Sequence, residues 1–317
     1  MRPRNYHEDA SLKPVRHRLA ELLGVIRRRA LWAVRDRFPN RQVVRNVQGV
    51  RLVLPWSHRL PDYAVSGSAY GQNLVRLAAE LAGAEPLTVL DVGANVGDSA
   101  VQMLRVAQGR VLCVEGDPAY LEFLHLNTDA DSRITVVEAL LAVDSSAAPV
   151  TAVRSGGTTR FAEGAVADSL PALTCDELRE RYPEFARLRL VKSDTDGYDV
   201  ALVPAIATVW HDDPPVLFFE YDPHLSRVAG NAPLEVWGRL RDLGYWTVAV
   251  WDNGGRPLGQ TDVDEVRGLA SILDRPFGEL GYHYWDVAVV HKSDALGGRA
   301  VDDLVSGSLA DELRMAP

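Results

Sequence analysis

Between residues 86 and 291, short apolar runs alternate with helix-length amphipathic segments, and few architectures accept that alternation. The runs at 87–92, 110–115, 134–138, 188–194, 215–220, 245–251 and 284–291 are predicted strands. The segments at 96–107, 118–128, 169–182, 198–210, 232–243 and 262–273 are predicted helices. Strands that are apolar on consecutive residues must be buried on both faces, which implies a parallel sheet between two helical layers. The stretch 150–168, rich in Gly, Ser and Thr, breaks the rhythm and is expected to form a small hairpin or flap. A short strand at 49–55 and a helix at 70–83 lead into the sheet, and beyond about 293 a terminal helix or a loose tail is expected. No apolar run approaches the ~18 residues needed to span a bilayer, and no segment resembles a signal peptide. The two cysteines, Cys113 and Cys175, have no spacing that suggests a metal knuckle or disulfide framework. The expected compartment is the cytoplasm.

In doubly wound sheets ligands bind beyond the carboxyl ends of the strands. The first strand runs into V-L-D-V-G-A-N-V-G-D, Val89 to Asp98. A dinucleotide fingerprint would read G-x-G-x-x-G from Gly93, but Asn95 and Asp98 take the second and third glycine positions. A diphosphate needs bare amides at a helix N-terminus, and Asp91 and Asp98 oppose it. A cofactor bearing a sulfonium and an ammonium group is favoured by the same acids. The loop therefore points to S-adenosylmethionine rather than NAD. Glu115 ends the second strand, 24 residues after Asp91, where it can accept from both ribose hydroxyls of either cofactor. Its alternative role is to cap the helix starting near Pro118.

D-V-G-A-N-V-G-D, V-E-G-D-P, S-L-P-A-L-T-C-D-E-L, V-K-S-D-T-D-G-Y-D and F-F-E-Y-D-P, in that order over residues 70–293, resemble the FkbM family of S-adenosylmethionine-dependent methyltransferases. The resemblance implies a class I (Rossmann-like) fold: a doubly wound seven-stranded sheet whose last strand runs antiparallel, here with an N-terminal helical extension. It also implies methylation of a hydroxyl on a natural product, sugar or glycolipid. By motif, Asp91, Gly93, Asn95 and Gly97 would line the methionine part, Glu115 the ribose, and Ala139 and Leu140 the adenine. One segment departs from the family: S-D-T-D-G stands where I-D-V-E-G is usual, so the shorter Asp196 replaces a glutamate. The expected organisation is an extension over 1–69, a catalytic domain over 70–293 and a tail over 294–317. The rival readings are an NAD-dependent oxidoreductase and a methyltransferase-like binding protein without catalysis.

Methyl transfer to an alcohol needs alignment and a destination for the hydroxyl proton, supplied by a general base or a metal. The end of the fourth strand offers Asp194 and Asp196, and the end of the fifth offers Glu220, Asp222 and His224. Asp194, Asp196 and Glu220 are the candidate bases. Asp194, Glu220 and Asp222 are the candidate ligands for a hard ion such as Mg2+. Tyr70, Trp251, His283 and Tyr284 are candidates for lining an acceptor pocket.

The net charge of −9 divides unevenly. Residues 1–45 hold eleven arginines and Lys13 against four acids, giving +8, so the remainder carries −17. A body that acidic argues against a nucleic-acid partner; the small-molecule or glycan acceptor is what the family resemblance implies. Residues 16–38 pattern as an amphipathic helix, with Leu19, Leu22, Leu23, Ile26, Trp32 and Val34 apolar. Packing on the core with solvated arginines is the expected role, and peripheral contact of residues 1–45 with an anionic membrane is the alternative. Arginine outnumbers lysine 31 to 3 throughout, so coding bias contributes to the arm's charge.

Overall fold

The computed structural model describes residues 24, 26–39, 41–83, 85–144, 150–155, 158–163, 171–275 and 281–315. A helix over residues 26–35 (α1) precedes a hairpin of β1 (Gln42–Val47) and β2 (Val50–Pro55), one helical turn, α2 (Leu60–Tyr63), and α3 (Gln72–Leu81). Next come β3 (Leu87–Val92), α4 (Asp98–Val106), β4 (Gly109–Glu115), α5 (Pro118–Thr128) and β5 (Ile134–Glu138). An excursion follows: β6 (Leu140–Ala142), β7 (Val150–Ser155), β8 (Thr158–Glu163), β9 (Ala172–Thr174) and α6 (Cys175–Arg181). The second half runs β10 (Leu190–Ser193), α7 (Asp199–Val209), β11 (Val216–Tyr221), α8 (Pro223–Val228), α9 (Glu235–Asp242) and β12 (Tyr245–Asp252). It ends with β13 (Pro257–Asp262), α10 (Val263–Leu269), β14 (Trp285–His291), α11 (Ala295–Leu304) and α12 (Leu309–Met315).

The central sheet has the order β13-β12-β14-β11-β10-β3-β4-β5. Strands β5, β4, β3, β10 and β11 are mutually parallel, and β14 pairs antiparallel with both β11 and β12. The sequence implied seven strands; the eighth, β13, extends the β12 edge as an antiparallel hairpin. Its P-L-G-Q-T-D sequence has neither an apolar run nor alternation, because it is an edge strand held by β12 and α12 rather than by two covered faces. The helix expected over 169–182 is shorter, because Thr174 starts it at a capping box with Glu177 and the preceding residues pair with β6. The pairing of β7 with β8 supplies the hairpin expected within 150–168, and the rest of that stretch lies outside the described residues.

Two cores cover the sheet. One face carries Leu90, Val92, Leu112, Val191, Leu217, Phe219, Val248 and Val287 against α6, α7, α9 and α10. The other carries Leu87, Val89, Val111, Cys113, Leu190, Val216, Phe218 and Ala288 against α3, α4 and α11. Strand order reverses between β3 and β10, leaving a crevice outside their carboxyl ends. A third, smaller core joins Leu52, Leu54 and Leu60 to Val96, Tyr120 and Phe123, so the N-terminal hairpin packs over the loop that follows β3.

Helix α1 does not pack as expected. Arg35 is buried, donating to the Trp56 and His58 carbonyls and pairing with Asp62 at 2.8 Å. The half-buried Trp32 also donates to Asp62, while Ile26, Leu31, Val34 and Phe38 are exposed. The helix thus turns an arginine inward and its aliphatic residues outward. Leu19, Leu22 and Leu23 lie outside the described residues. Among the described residues, no helix is long and apolar enough to cross a membrane.

Candidate cofactor and acceptor site

Alternation along the strands places the candidate residues on one face. Strand register sets Cys113, Asp91, Lys192, Phe218, Ala288 and Ala249 side by side in a row. Two residues nearer the carboxyl edge, the same face presents Glu115, Gly93, Asp194, Glu220, Asp286 and Trp251. The deep row is apolar apart from Asp91 and Lys192. The outer row is where the acids stand.

The glycine loop is fixed by its backbone. Gly93 and Ala94 donate to the Val114 carbonyl at 2.9 and 3.2 Å. Gly93 has φ +71°, and a Cβ there would lie 2.0 Å from the Asp194 carbonyl oxygen. Gly97, at φ +83°, caps α4 where a Cβ would meet Leu124 and Thr128 at 2.8 Å. Asn95 adopts φ +51°, the left-handed region an asparagine tolerates. Its amide donates to Glu115 Oε2 at 2.8 Å, and the Asp117 amide donates to Oε1 at 2.7 Å. Each Glu115 oxygen keeps a further lone pair for a hydroxyl, while burial pushes its carboxyl pKa up against those two amides. The helix cap near Pro118 is Asp117, which accepts from the Ala119 amide.

His58 holds the loop from the N-terminal side. Its Nδ1 accepts from the Leu60 amide, so Nε2 carries the proton and donates to Asn95 Oδ1 at 3.0 Å. Burial lowers its pKa to about 4, so the ring is neutral near pH 7.

Beneath the loop lies a buried ion pair. Lys192 Nζ donates to the Gly93 carbonyl at 2.8 Å and stands 3.1 Å from Asp91 Oδ1 and 3.9 Å from Asp194 Oδ2. Asp91 Oδ2 accepts from Ser99 Oγ at 2.5 Å. Asp91 Oδ1 is buried and makes the ionic contact without an aligned hydrogen bond, leaving an acceptor position at the base of the loop. Burial opposes the charge on Lys192, but Asp91 and Asp194 outweigh it and hold its pKa up.

The outer row is electrostatically strained. Glu220 and Asp286 are directly opposed across β11 and β14. Asn73 of α3 donates to Asp286 Oδ2 at 2.7 Å. Burial first, then neighbouring acids, raises Asp286 to about 7, and burial with Asp194 and Asp199 lifts Glu220 well above its ordinary range. Asp98 rises to about 6, chiefly through burial. Burial and the same carboxylates also raise Tyr70 and Tyr284. These side chains are deep-set yet partly accessible, as residues lining a cleft must be.

Several sequence candidates fall elsewhere. Asp194 sits at the rim, 54% exposed. Asp196 lies past the strand in a left-handed turn at φ +51°, off the row. That turn is organised by buried Asp199, which accepts from Ser193 Oγ, Thr195 Oγ1 and the Thr195 amide at 2.6, 2.8 and 3.1 Å. Asp222 is not available as a metal ligand in the expected sense: β11 ends at Tyr221, and Asp222 caps α8 by accepting from the Leu225 amide at 2.8 Å. His224 is exposed on that helix. The expected ligand set of Asp194, Glu220 and Asp222 is not brought together, and among the described residues no group of three His, Cys, Asp or Glu is arranged to hold a metal ion. Trp251 is core, packed 6.1 Å from Phe218 between ring centroids, and His283 is exposed, edge-on to Tyr284. Ala139 is core, whereas half-buried Leu140 packs its side chain onto Gly116 beside Glu115.

Four residues were not singled out from the sequence. Asp286 becomes visible only through antiparallel register with Glu220, and Asn73 and His58 only through tertiary contacts. Lys192 carried a signal: in a chain with 31 arginines and 3 lysines, a lysine inside an apolar strand marks a place where a compact ammonium fits and a guanidinium does not.

The strand order, the antiparallel β14 and the acid-flanked glycine loop define a class I, Rossmann-like methyltransferase fold. No family model matches the chain, and no curated protein is a significant match. Among solved structures, a TehB-like SAM-dependent methyltransferase from Corynebacterium glutamicum is 13% identical, with 74% of this chain and 94% of that chain covered and a TM-score of 0.39. A precorrin-6y methyltransferase from Geobacter metallireducens is 15% identical over 69% of this chain and 86% of that one, with a TM-score of 0.36. An rRNA methylase from Streptococcus thermophilus is 9% identical over 68% and 93%, with a TM-score of 0.38. What defines the class is the topology and the loop, not these distant likenesses.

Proposed function

We propose that the chain is an S-adenosylmethionine-dependent O-methyltransferase whose acceptor is a hydroxylated natural product, sugar or glycolipid, in keeping with the motif resemblance to the FkbM family. One observation carries the reading: Glu115, Asp194, Glu220 and Asp286 share the carboxyl edge of a single sheet face beside the glycine loop. The cofactor supplies a methyl group already activated on a sulfonium. The residues present fit it. Asp91 Oδ1, ion-paired with Lys192 but without an aligned hydrogen bond, and the bare turn at Gly93 suit its amino-acid head. Glu115 retains acceptor capacity for the ribose, and Leu140 over Gly116 offers an apolar floor for the adenine.

Glu220 takes the acceptor's hydroxyl proton. Its raised pKa makes it a stronger base than an ordinary carboxylate; burial does most of this, with Asp194 and Asp199 next and Asp286, oriented by Asn73, adding to it. Asp194 at the rim is the secondary candidate. Tyr70 and Tyr284 flank the acids and can orient a polyhydroxylated acceptor. The acidic cleft in a body of charge −17 supports a neutral or cationic acceptor and disfavours nucleic acid. It equally disfavours a dinucleotide diphosphate.

The test is calorimetric binding of S-adenosylmethionine, followed by turnover of labelled cofactor against a panel of polyols, glycans and amines, with and without EDTA. Tight binding with an O-methylated product is expected. A product methylated on nitrogen removes the hydroxyl assignment, and absence of binding removes the whole reading.

A further inference from the structure

Helix α1 presents an apolar edge to solvent. Ile26, Ala30 and Val34 stand at i, i+4 and i+8, with Leu31 three residues before Val34; Phe38, past the end of the helix, rests its ring 5.8 Å from that of Trp56. The four helix residues are exposed, Ile26, Leu31 and Val34 by about half of their surface. The opposite side is locked down: Arg35 is buried against Trp56, His58 and Asp62, and the Arg59 guanidinium covers Trp32 at 4.5 Å from the ring centroid. The docking is specific, so the outward apolar edge is not a helix that failed to find its core. Exposed Arg27, Arg29 and Arg37 run beside that edge. Their long stems can lie along an apolar phase while the guanidinium groups stay at a polar boundary.

We propose that α1 is a peripheral membrane anchor, laying the edge formed by Ile26, Ala30, Leu31 and Val34 into the headgroup region of an anionic lipid surface. Amphipathic helices with basic flanks partition in this way, the apolar edge giving depth and the arginines giving selectivity for anionic lipid. A second copy of the chain fits less well. A two-fold contact through this edge would bring the arginine-flanked faces of both copies together, placing like charge against like. An anionic headgroup layer turns the same arginines into attraction. The inference is independent of the methyl-transfer reading, because none of these side chains belongs to the cleft.

The test uses the full chain, sedimented with phosphatidylcholine vesicles alone or containing phosphatidylglycerol, at low and high salt. Binding is expected only with the anionic vesicles and should weaken as salt rises. Leu31→Asp/Val34→Asp and Arg27→Glu/Arg29→Glu should each reduce it about tenfold or more, with melting temperature and S-adenosylmethionine affinity unchanged. If the aspartates lower the melting temperature, Leu31→Ser/Val34→Ser tests the same edge. Three results overturn the proposal: no binding to anionic vesicles at low salt, binding that ignores the Leu31 and Val34 changes, or a dimer that those changes dissociate. The second would mean bare attraction by the basic arm, and the third would assign the edge to a second copy.

Discussion

The β3–β4 side of the cleft and the β10–β11–β14 side are built on opposite principles. On the first, Glu115 has two backbone amides as donors, and Asp91 has Ser99 and the Lys192 charge, while Asp98 at the start of α4 is raised by burial. Amides, a hydroxyl and an ammonium fix Glu115 and Asp91 in place, as a site binding a cationic, hydroxyl-bearing cofactor requires. On the second side, Glu220 and Asp286 face one another across the sheet, with Asn73 donating to Asp286. Burial first, then like charge, raises their pKa values, and for Asp286 the Asn73 hydrogen bond offsets only part of the rise. Such groups bind poorly as fixed anions but accept protons well. One side is organised to hold; the other is poised to titrate.

The harshest way to break the comparison is to remove the element that joins the two sides. Gly93→Ala would drive a methyl group into the Asp194 carbonyl at 2.0 Å from a backbone already at φ +71°. Neither can relax without separating β3 from β10 at their carboxyl ends. The variant is expected to lose measurable S-adenosylmethionine binding and to melt well below wild type, through strain of several kcal/mol. Calorimetry and thermal unfolding check both. Near-normal binding would mean that the loop and Asp194 are not rigidly coupled.

Each side can then be struck alone. Glu220→Gln should lower turnover by about 10²–10⁴-fold while leaving cofactor affinity within a fewfold of wild type. Asp286→Asn should move the acidic limb of the kcat/KM profile to lower pH, because losing a neighbouring like charge lowers the pKa of Glu220 and ionises the base earlier. The shift should be small, because burial, Asp194 and Asp199 raise Glu220 more than Asp286 does, and loss of the limb altogether in Glu220→Gln would identify Glu220 as the titrating group. Glu115→Ala should do the reverse of Glu220→Gln. Affinity should fall about tenfold or more, the loss of charge-assisted hydrogen bonds worth ~1.5–3 kcal/mol each, with less effect on turnover at saturating cofactor.

The two sides also differ in how far the sequence announces them. The cofactor side is local: strand, glycine loop and Glu115 lie within 29 residues, 87–115, and glycine spacing states its geometry directly. Strands β3 and β5 and helix α5 match their predicted bounds, because apolar runs and the Asp117-Pro118 start are decided locally. The acceptor side is assembled from four distant segments. Parity along one strand cannot reveal that Asp286 opposes Glu220 until antiparallel register is known. Asp222 reads as a site residue by alternation, yet the chain leaves the strand at Tyr221 and spends that carboxylate on a helix cap. Helix α1 misleads for a related reason: periodicity finds an apolar stripe but not the layer it faces.

The smallest effect separates the sides by sign. His58, which clamps the glycine loop, has a folded pKa of about 4 against 6.5 when free. The unfolded chain therefore binds the proton first, and the stability His58 contributes is full above pH 6.5 and lost as pH falls toward 4. From pH 8 to about 5.5 that loss amounts to about 1 kcal/mol. Asp286 works oppositely. With a folded value of about 7 against 3.8, the folded state holds the proton more tightly, and acidification over the same range stabilises it by about 2 kcal/mol. Relative to wild type, His58→Gln should tilt the stability curve toward acid and Asp286→Asn should tilt it toward base. Urea unfolding at the two pH values measures both tilts, and any constant cost of either substitution cancels in the difference. If both variants tilt the same way, the two sides of the cleft do not titrate as opposites, and the division between holding and proton transfer fails with them.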